Sequence, residues 1–431
     1  MNKTVSSIPS LHVELTPPGD KSIAHRAVML NSLADGKAHV THFCAGADCL
    51  STIRCMRAMG ARITRVTHAA DTIDIQGIGQ NGFREPDNVM NAGNSGTTTR
   101  LLSGLLSGQP FLSIITGDSS LRSRPMGRVI KPLRLMGADI EGRAGGMFAP
   151  LVIKGGSLNG IEYSLPEPSA QVKSALILAG LFANGETSII EPAPTRDHTE
   201  RMLLRMGAPI RRQGSRVTIS KPSRHLQSLN VDVPGDVSAA AYWLVAGAIH
   251  PDARVTVRGC GINPTRTGII DILKAMGARI LVTSEKESGG EPIGDITVES
   301  SQLRGVDLEG DIIVRAIDEV PILAVAACFA AGTTRIRSAG ELRVKETDRI
   351  AQTTRELGRM GARIEELPDG MIIERVPYLE GSNVDSHGDH RLAMSLAVAG
   401  LVARGNTTIK DAEAASVSYP GFWDDLAKAT K

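Results

Sequence analysis

Two kinds of helical stretch alternate along the chain. Runs such as Ser174–Phe182 carry apolar side chains on most faces of a helix, the pattern of a buried helix. Others, such as Cys49–Met59, set Ile53 and Met56 against Arg54 and Arg57, the pattern of an amphipathic helix. A β-branched strand segment follows each kind, and a hairpin-like strand pair often completes the unit. Two phrases mark the joints. Met-Gly-Ala-x-Ile begins at Met59, Met136, Met206, Met276 and Met360. Its Gly ends the amphipathic helix and its Ile opens a strand. The second phrase ends the apolar helix at Gly36, Gly108, Gly185, Gly332 and Gly405, with Pro251-Asp252 in the remaining copy. There the glycine is expected to close the helix in a left-handed C-cap. Repetition at this scale predicts six mixed α and β units in two groups of three.

Composition narrows the class. A chain of 431 residues suits two domains. Its 42% hydrophobic and 22% charged residues exclude a disordered chain. A net charge of +2 and 3% aromatics argue against a nucleic-acid binder. The apolar runs Ala239–Ile249 and Val320–Ala331 fall short of a membrane span of ~18 residues. The first ten residues hold no apolar core of a secretory signal, so a cytoplasmic location is expected. The five cysteines form no CxxC pair, and a disulfide framework is not expected. His39, His42, Cys44 and Cys49 lie close together, but their spacing matches no structural zinc pattern. They read as residues of a strand and the loop after it, and no metal is expected.

The residues that break the repeat's own pattern fall at helix starts. Asp236 and Ser238 need no reading beyond capping, since Asp and Ser satisfy orphan amides at any helix N-terminus. Capping does not explain cations there. Lys21, Arg124, Lys345 and Arg391 are placed by the pattern in first turns, where each opposes the helix dipole by up to ~1 kcal/mol. Open amides together with a cation make an anion site. Repeated in several units, they point to an anion-rich ligand. Ser22 and Arg26 are i,i+4 and share a helix face just after Lys21. Lys345 and Arg349 are also i,i+4, with Glu346 three residues before Arg349. The competing reading of that trio is a solvated, salt-bridged face.

Eight segments resemble the motifs of the 3-phosphoshikimate 1-carboxyvinyltransferase (EPSP synthase) family. They are PGDKSIAHRA from Pro18, NAGNSGTTTRLL from Asn91, LRSRPMGR from Leu121, SAQVKSALILAGL from Ser169, TRDHTERML from Thr195, DEVPILAVAA from Asp318, ELRVKETDR from Glu341 and GDHRLAMS from Gly388. The Ser-Ala-Gln form at Ser169–Gln171 is similar to the subgroup often called class II. The resemblance implies an α/β (α+β) fold: a two-domain inside-out α/β barrel of six βαβαββ repeats, three per domain. It implies one domain at 20–235 and a second made of 1–19 plus 236–431, with the active site in the interdomain cleft.

The implied reaction transfers the enolpyruvyl group of phosphoenolpyruvate to the 5-hydroxyl of shikimate 3-phosphate, releasing phosphate through a tetrahedral intermediate. This is the sixth step of the shikimate pathway. No cofactor or metal is implied, and the partners are small molecules acting on a monomer. By resemblance, Lys21, Ser22, Arg26, Ser169, Gln171, Arg196, Asp318 and Lys345 hold shikimate 3-phosphate. Lys21, Asn94, Gly96, Arg124, Gln171, Arg349 and Arg391 hold phosphoenolpyruvate. Asp318 is the candidate base, Glu346 the carbon-side acid/base, and Lys21 assists. The six cations Lys21, Arg26, Arg124, Lys345, Arg349 and Arg391 match the roughly −5 to −6 charge of the two substrates.

Two positions depart from the family pattern. Val417 stands where many members carry a Lys before an aromatic-Pro pair. Ala170 replaces a Ser of the other subgroup, and Arg196 stands to compensate. Gly96 leaves the phosphoenolpyruvate pocket open to the family inhibitor glyphosate. UDP-N-acetylglucosamine enolpyruvyl transferases share the fold, but they pair Lys with Asn near the N-terminus and carry a reactive Cys in a loop. Here the pair is Lys21-Ser22, and Ser119–Arg128 holds Arg124 and no Cys. A ring-like binding protein built of repeats would spread basic residues along helix faces rather than at helix starts.

Overall fold

The computed structural model describes residues 1–66 and 71–430, without the side chains of Ser284 and Glu285. It divides into two compact units. Unit A comprises Gly19–Val233 and Glu287–Glu291. Unit B comprises Met1–Pro18, Pro234–Lys286 and Pro292–Lys431. Each has its own hydrophobic core.

In unit A the apolar and amphipathic helices alternate as α1 (Lys21–Leu33), α2 (Ala47–Ala58), α3 (Gly96–Ser107), α4 (Gly127–Leu135), α5 (Ala170–Gly180) and α6 (His198–Arg205). The apolar helices pack on one another, α3 against α5 and α1 against α3. Three four-stranded sheets accompany them. In the first, Lys37–Thr41 pairs parallel with Val231–Asp232 and antiparallel with Ile73–Gln76, which pairs with Arg62–Arg65. The same order recurs about Leu112–Thr116 and about Glu186–Ile190.

Unit B continues with α7 (Val237–Ile249), α8 (Gly268–Ala275), α9 (Val320–Phe329), α10 (Arg349–Arg359) and α11 (His390–Val402). Its α7, α9 and α11 pack together. Two four-stranded sheets centre on Ala253–Gly261 and Thr333–Ile336. The third has three strands, with Asn406–Lys410 in the middle, antiparallel to Lys3–Ser6 on one side and parallel to Asn383–Asp385 on the other. Leu11–Leu15 pairs parallel with Ala253–Gly261, so the N-terminal segment is part of this unit's sheets. Both tryptophans are in an aromatic cluster here: Tyr242, Trp243, Tyr419 and Trp423 surround Phe422, with ring centroids 5.1–6.4 Å from it. They seat the C-terminal segment on α7.

All five Met-Gly-Ala phrases end a helix as the pattern predicts. Each Met is the C-cap, and Gly60, Gly137, Gly207, Gly277 and Gly361 all have positive φ. That conformation favours glycine because it has no Cβ to clash. The expectation for the apolar helices needs correction. After α1 the C-cap is Ala34 in extended conformation, and Gly36 (φ 95) lies two residues further on. Gly108 is a C-cap with φ −91. The left-handed glycines Gly36, Gly185, Gly332 and Gly405 turn the chain into the next strand rather than capping the helix. No helix among the described residues is long and apolar enough to cross a membrane.

Candidate active site

In unit A the site residues gather at the starts of α1, α3 and α5. Asp20 caps α1, its Oδ1 accepting the Ile23 N–H at 2.9 Å. Lys21 is the first helical residue, and its Nζ reaches Asp48 Oδ2 at 3.4 Å. Ser22 is half-buried. One turn on, Arg26 is only 3% exposed. It donates to Thr199 Oγ1 at 2.7 Å, Ser174 Oγ at 2.8 Å and the Ser22 carbonyl at 2.9 Å, all neutral acceptors. Burial pushes its pKa down to about 10, and the charge of Arg196 adds to that, against the pull of Glu200 and Asp20. Arg196 is half-buried, directly before the N-cap of α6.

Ser95 caps α3, accepting the Thr98 N–H at 3.1 Å, and Gly96 is the first helical residue. A Cβ at Gly96 would stand 3.1 Å from Arg100 Nη1 and 3.6 Å from Arg124 Nη1. Arg124 donates to Asn94 Oδ1, to the Asn94 carbonyl at 3.3 Å and to Ser120 Oγ at 3.1 Å, while Asn94 Nδ2 donates to Asp118 at 2.8 Å. Ser169 caps α5 through a 3.4 Å bond from the Val172 N–H, and Ala170 opens the helix. Gln171 Oε1 accepts from Arg100 Nη1 at 2.6 Å, and its Nε2 donates to Thr97 Oγ1 at 3.0 Å. An arginine only donates, so the Gln171 amide is oriented with its carbonyl inward. Beneath these helix starts runs a buried chain of short bonds: His25 Nδ1 to Thr52 at 2.6 Å, Thr52 to Thr98 at 2.7 Å and Thr98 to Ser95 at 2.7 Å. Burial, with Lys21 and Arg26 nearby, holds His25 well below the usual histidine pKa.

In unit B the company is acidic. Asp318 lies in the single turn Ile317–Glu319 that leads into α9. It is 3.6 Å from Arg349 Nη1 and 3.5 Å from Arg391 Nη2. Arg349 opens α10 at 2% exposure and bonds Asp389 Oδ2 at 2.7 Å and Glu346 Oε2 at 2.6 Å. Burial alone would lower the Arg349 pKa, but Asp389 and Glu346 outweigh it and the net shift is upward. Arg391, the second residue of α11, is raised likewise: burial is the largest single influence and lowers it, but Asp318, Tyr242, Glu319 and Asp236 together outweigh it. Glu319, 1% exposed, lies 3.6 Å from Arg391 Nη1 and accepts from Ser238 Oγ. Asp236 caps α7, accepting the Ser238 N–H at 2.8 Å, but capping does not account for Ser238, which lies inside the helix with its hydroxyl bonded to Glu319. Lys345 Nζ donates to Glu341 at 2.9 Å. Val417 is half-buried at the end of the turn Ala412–Val417, two residues before the buried Tyr419.

Several expectations change. Lys21 and Arg391 do sit in first turns. Arg124 does not: it follows the short helix Ser119–Ser123 and precedes α4 by three residues. Lys345 follows the 3-10 turn Gly340–Val344, and Asp348 caps α10, so Lys345 and Arg349 share no helix face. The solvated-face reading of that trio fails because Arg349 is buried. Of the candidate metal ligands, His39 Nδ1 bonds Asp74 at 2.7 Å and His42 Nδ1 lies 2.8 Å from the Val233 carbonyl. Cys44 is buried, and Cys49 sits in α2 rather than in a loop. Sequence reasoning assigned no role to Arg100, Glu319 and Asp389. Arg100 had a signal: it is i,i+4 from Gly96 and so lies under it.

A two-unit α/β protein with cations and carboxylates gathered at buried helix starts is a scaffold for small polyanionic ligands. Residues 5–426 match the model of the EPSP synthase (3-phosphoshikimate 1-carboxyvinyltransferase) family. The chain is 52% identical over 430 residues to the 3-phosphoshikimate 1-carboxyvinyltransferase of Herpetosiphon aurantiacus, covering 99% of each chain. It is 53% identical over 422 residues to that of Desulforudis audaxviator, covering 98% of each. A solved structure of EPSP synthase from Acinetobacter baumannii superposes with a TM-score of 0.89 at 44% identity, covering 100% of this chain and 98% of that one. The chain belongs to the EPSP synthase family.

Proposed function

We propose that both sets of residues serve one reaction, the transfer of the enolpyruvyl group of phosphoenolpyruvate to the 5-hydroxyl of shikimate 3-phosphate. The observation that carries this is the buried Arg26, held by three neutral acceptors with the charge of Arg196 bearing on it. Two guanidinium groups of like charge are eased by an anion between them, and a phosphate ester supplies it. Lys21, Ser22, Arg26, Ser169, Gln171 and Arg196 hold shikimate 3-phosphate, with Lys345 and Asp318. Arg124, Gly96, Asn94, Gln171, Arg349 and Arg391 hold phosphoenolpyruvate with Lys21.

Asp318 takes the proton of the 5-hydroxyl as its oxygen bonds to C2 of phosphoenolpyruvate. C3 gains a proton to become a methyl group, which gives the tetrahedral intermediate. Loss of phosphate and of one methyl proton restores the double bond. Glu346 handles the proton at C3, with Lys21 assisting. It is bonded to Arg349, so an anion that takes up Arg349 releases the carboxylate for this work. The six sheets with their helices are assigned to an inside-out α/β barrel of six βαβαββ repeats. The domains are assigned as 20–235 and 1–19 plus 236–431, in a cytoplasmic monomer.

Phosphate release from phosphoenolpyruvate tests the reading, with shikimate 3-phosphate in one arm and UDP-N-acetylglucosamine in the other. Release in the first arm alone is expected. Release in the second alone would assign the other transferase, and release in neither by folded protein would remove the reading.

A further inference from the structure

Behind the helix start that carries Ser169 and Gln171 lies an ion cluster that the reaction does not use. Lys173 on α5 has no exposed surface. Its Nζ is 3.0 Å from Glu191 Oε1, 2.7 Å from Glu200 Oε1 and 3.4 Å from the Thr195 carbonyl. Glu191 Oε1 in turn accepts the Thr195 N–H at 3.1 Å and the Thr195 hydroxyl. Arg212 closes the cluster, with Nη2 3.1 Å from Glu191 Oε2. The N–H, the C=O and the hydroxyl of Thr195 therefore all end on one buried pair. The next residue is Arg196.

A buried ion pair is poor value as a source of stability, since well-packed apolar residues often do as well. What it supplies here is direction, because the C=O, the N–H and the hydroxyl of Thr195 each have a partner within it. From the residue after Lys173, Ser174 Oγ bonds both Arg26 Nη2 and Thr199 Oγ1, each at 2.8 Å. One turn of α5 thus fixes Arg26 through Ser174 and the segment before Arg196 through Lys173.

We propose that Lys173, paired with Glu191, is a positioning residue that acts through Thr195 to set Arg196 beside Arg26. Two guanidinium groups at a fixed separation then receive the phosphate of the acceptor. This rests on the reading that Arg196 contacts shikimate 3-phosphate.

The test is steady-state phosphate release by the full chain carrying Lys173→Met, Arg196→Ala or both. Lys173→Met is expected to raise KM for shikimate 3-phosphate about 10-fold or more, with kcat and KM for phosphoenolpyruvate within about 3-fold of wild type. Arg196→Ala should raise the same KM, and the double variant should be at most about 3-fold worse than Arg196→Ala alone, because residues acting in series are not additive. A general loss of structure would instead move both KM values and kcat. If Arg196→Ala raises KM while Lys173→Met does not, or if the two effects multiply, the positioning role is overturned and the reading of Arg196 stands. If Arg196→Ala leaves KM unchanged, both fall. Should Lys173→Met not fold, Thr195→Val decides. It removes only the hydroxyl bond, and about a 3-fold rise in KM for shikimate 3-phosphate alone is expected. No change would overturn the proposal.

Discussion

Arg26 in unit A and Arg349 in unit B are buried to nearly the same degree, at 3% and 2% exposure, and keep opposite company. Arg26 meets two hydroxyls and a carbonyl, and its pKa falls. Arg349 meets Asp389, Glu346 and Asp318, and its pKa rises. Burying a cation without a paired anion is costly. Glu200 and Asp20 act on Arg26 through their charge while its bonds go to neutral groups, and the phosphate proposed to lie beside Arg26 and Arg196 would supply a directly bonded anion. A buried arginine ringed by carboxylates does the reverse: it fixes the carboxylates. In the proposed reaction the difference supports capture of shikimate 3-phosphate as the main work of the first region, and in the second a set of carboxylates held ready by the arginines that are proposed to take phosphoenolpyruvate.

The largest expected effect comes from the acidic region. Asp318→Asn keeps the size and polarity of the side chain but removes the base. It should lower kcat by about 10²–10⁴-fold, the usual contribution of a general base, a larger change than in KM for shikimate 3-phosphate. A kcat within a few-fold of wild type would place the base elsewhere.

A smaller effect tests the cationic region. Gly96→Ala puts a methyl group 3.1 Å from Arg100 Nη1, which must shift by a few tenths of an ångström. Overpacking of this kind costs ~1–3 kcal/mol. Inhibition by glyphosate should weaken by roughly 10-fold or more, since ~1.4 kcal/mol is tenfold. Wild-type kinetics indifferent to glyphosate would remove the premise.

The smallest effect is on stability. The unfolded His25 imidazole takes up a proton near pH 6.5, whereas the folded one, buried between Lys21 and Arg26, resists it. Its contribution is therefore fully present above pH 6.5 and is lost as pH falls. Between pH 6.5 and 5.5 the loss is roughly 1 kcal/mol from this group. Urea denaturation of wild type and His25→Gln should show that extra acid sensitivity in wild type only.

The sequence showed the repeat clearly because five Met-Gly-Ala phrases each demand a left-handed glycine after a helix. It misled at the apolar helices, where the chain leaves through an extended residue such as Ala34 and turns only at Gly36. Lys345 was misplaced because Asp348, not Lys345, starts the helix by capping Ala351 at 3.0 Å. Site residues were legible as cations at helix starts, but their partners were not. Asp389 is 40 residues from Arg349, and Thr199 and Ser174 are 173 and 148 residues from Arg26. Only folding decides whether a buried arginine meets a carboxylate or a hydroxyl, so the contrast between the two regions lies beyond local pattern.

The most direct test is a matched pair, Arg26→Met and Arg349→Met, measured by calorimetric titration with shikimate 3-phosphate and by urea denaturation. Removing Arg349 leaves the buried Asp389 the Arg391 N–H and the Thr347 hydroxyl but takes away its ion-pair partner, and should cost about 3 kcal/mol or more of stability. Removing Arg26 leaves Ser174 and Thr199 bonded to each other, so stability should change less while shikimate 3-phosphate affinity falls at least ~10-fold, the worth of a charged hydrogen bond. If the two variants lose stability and affinity alike, or if Arg26→Met is the less stable and the tighter binding, the division of labour between the two regions is wrong.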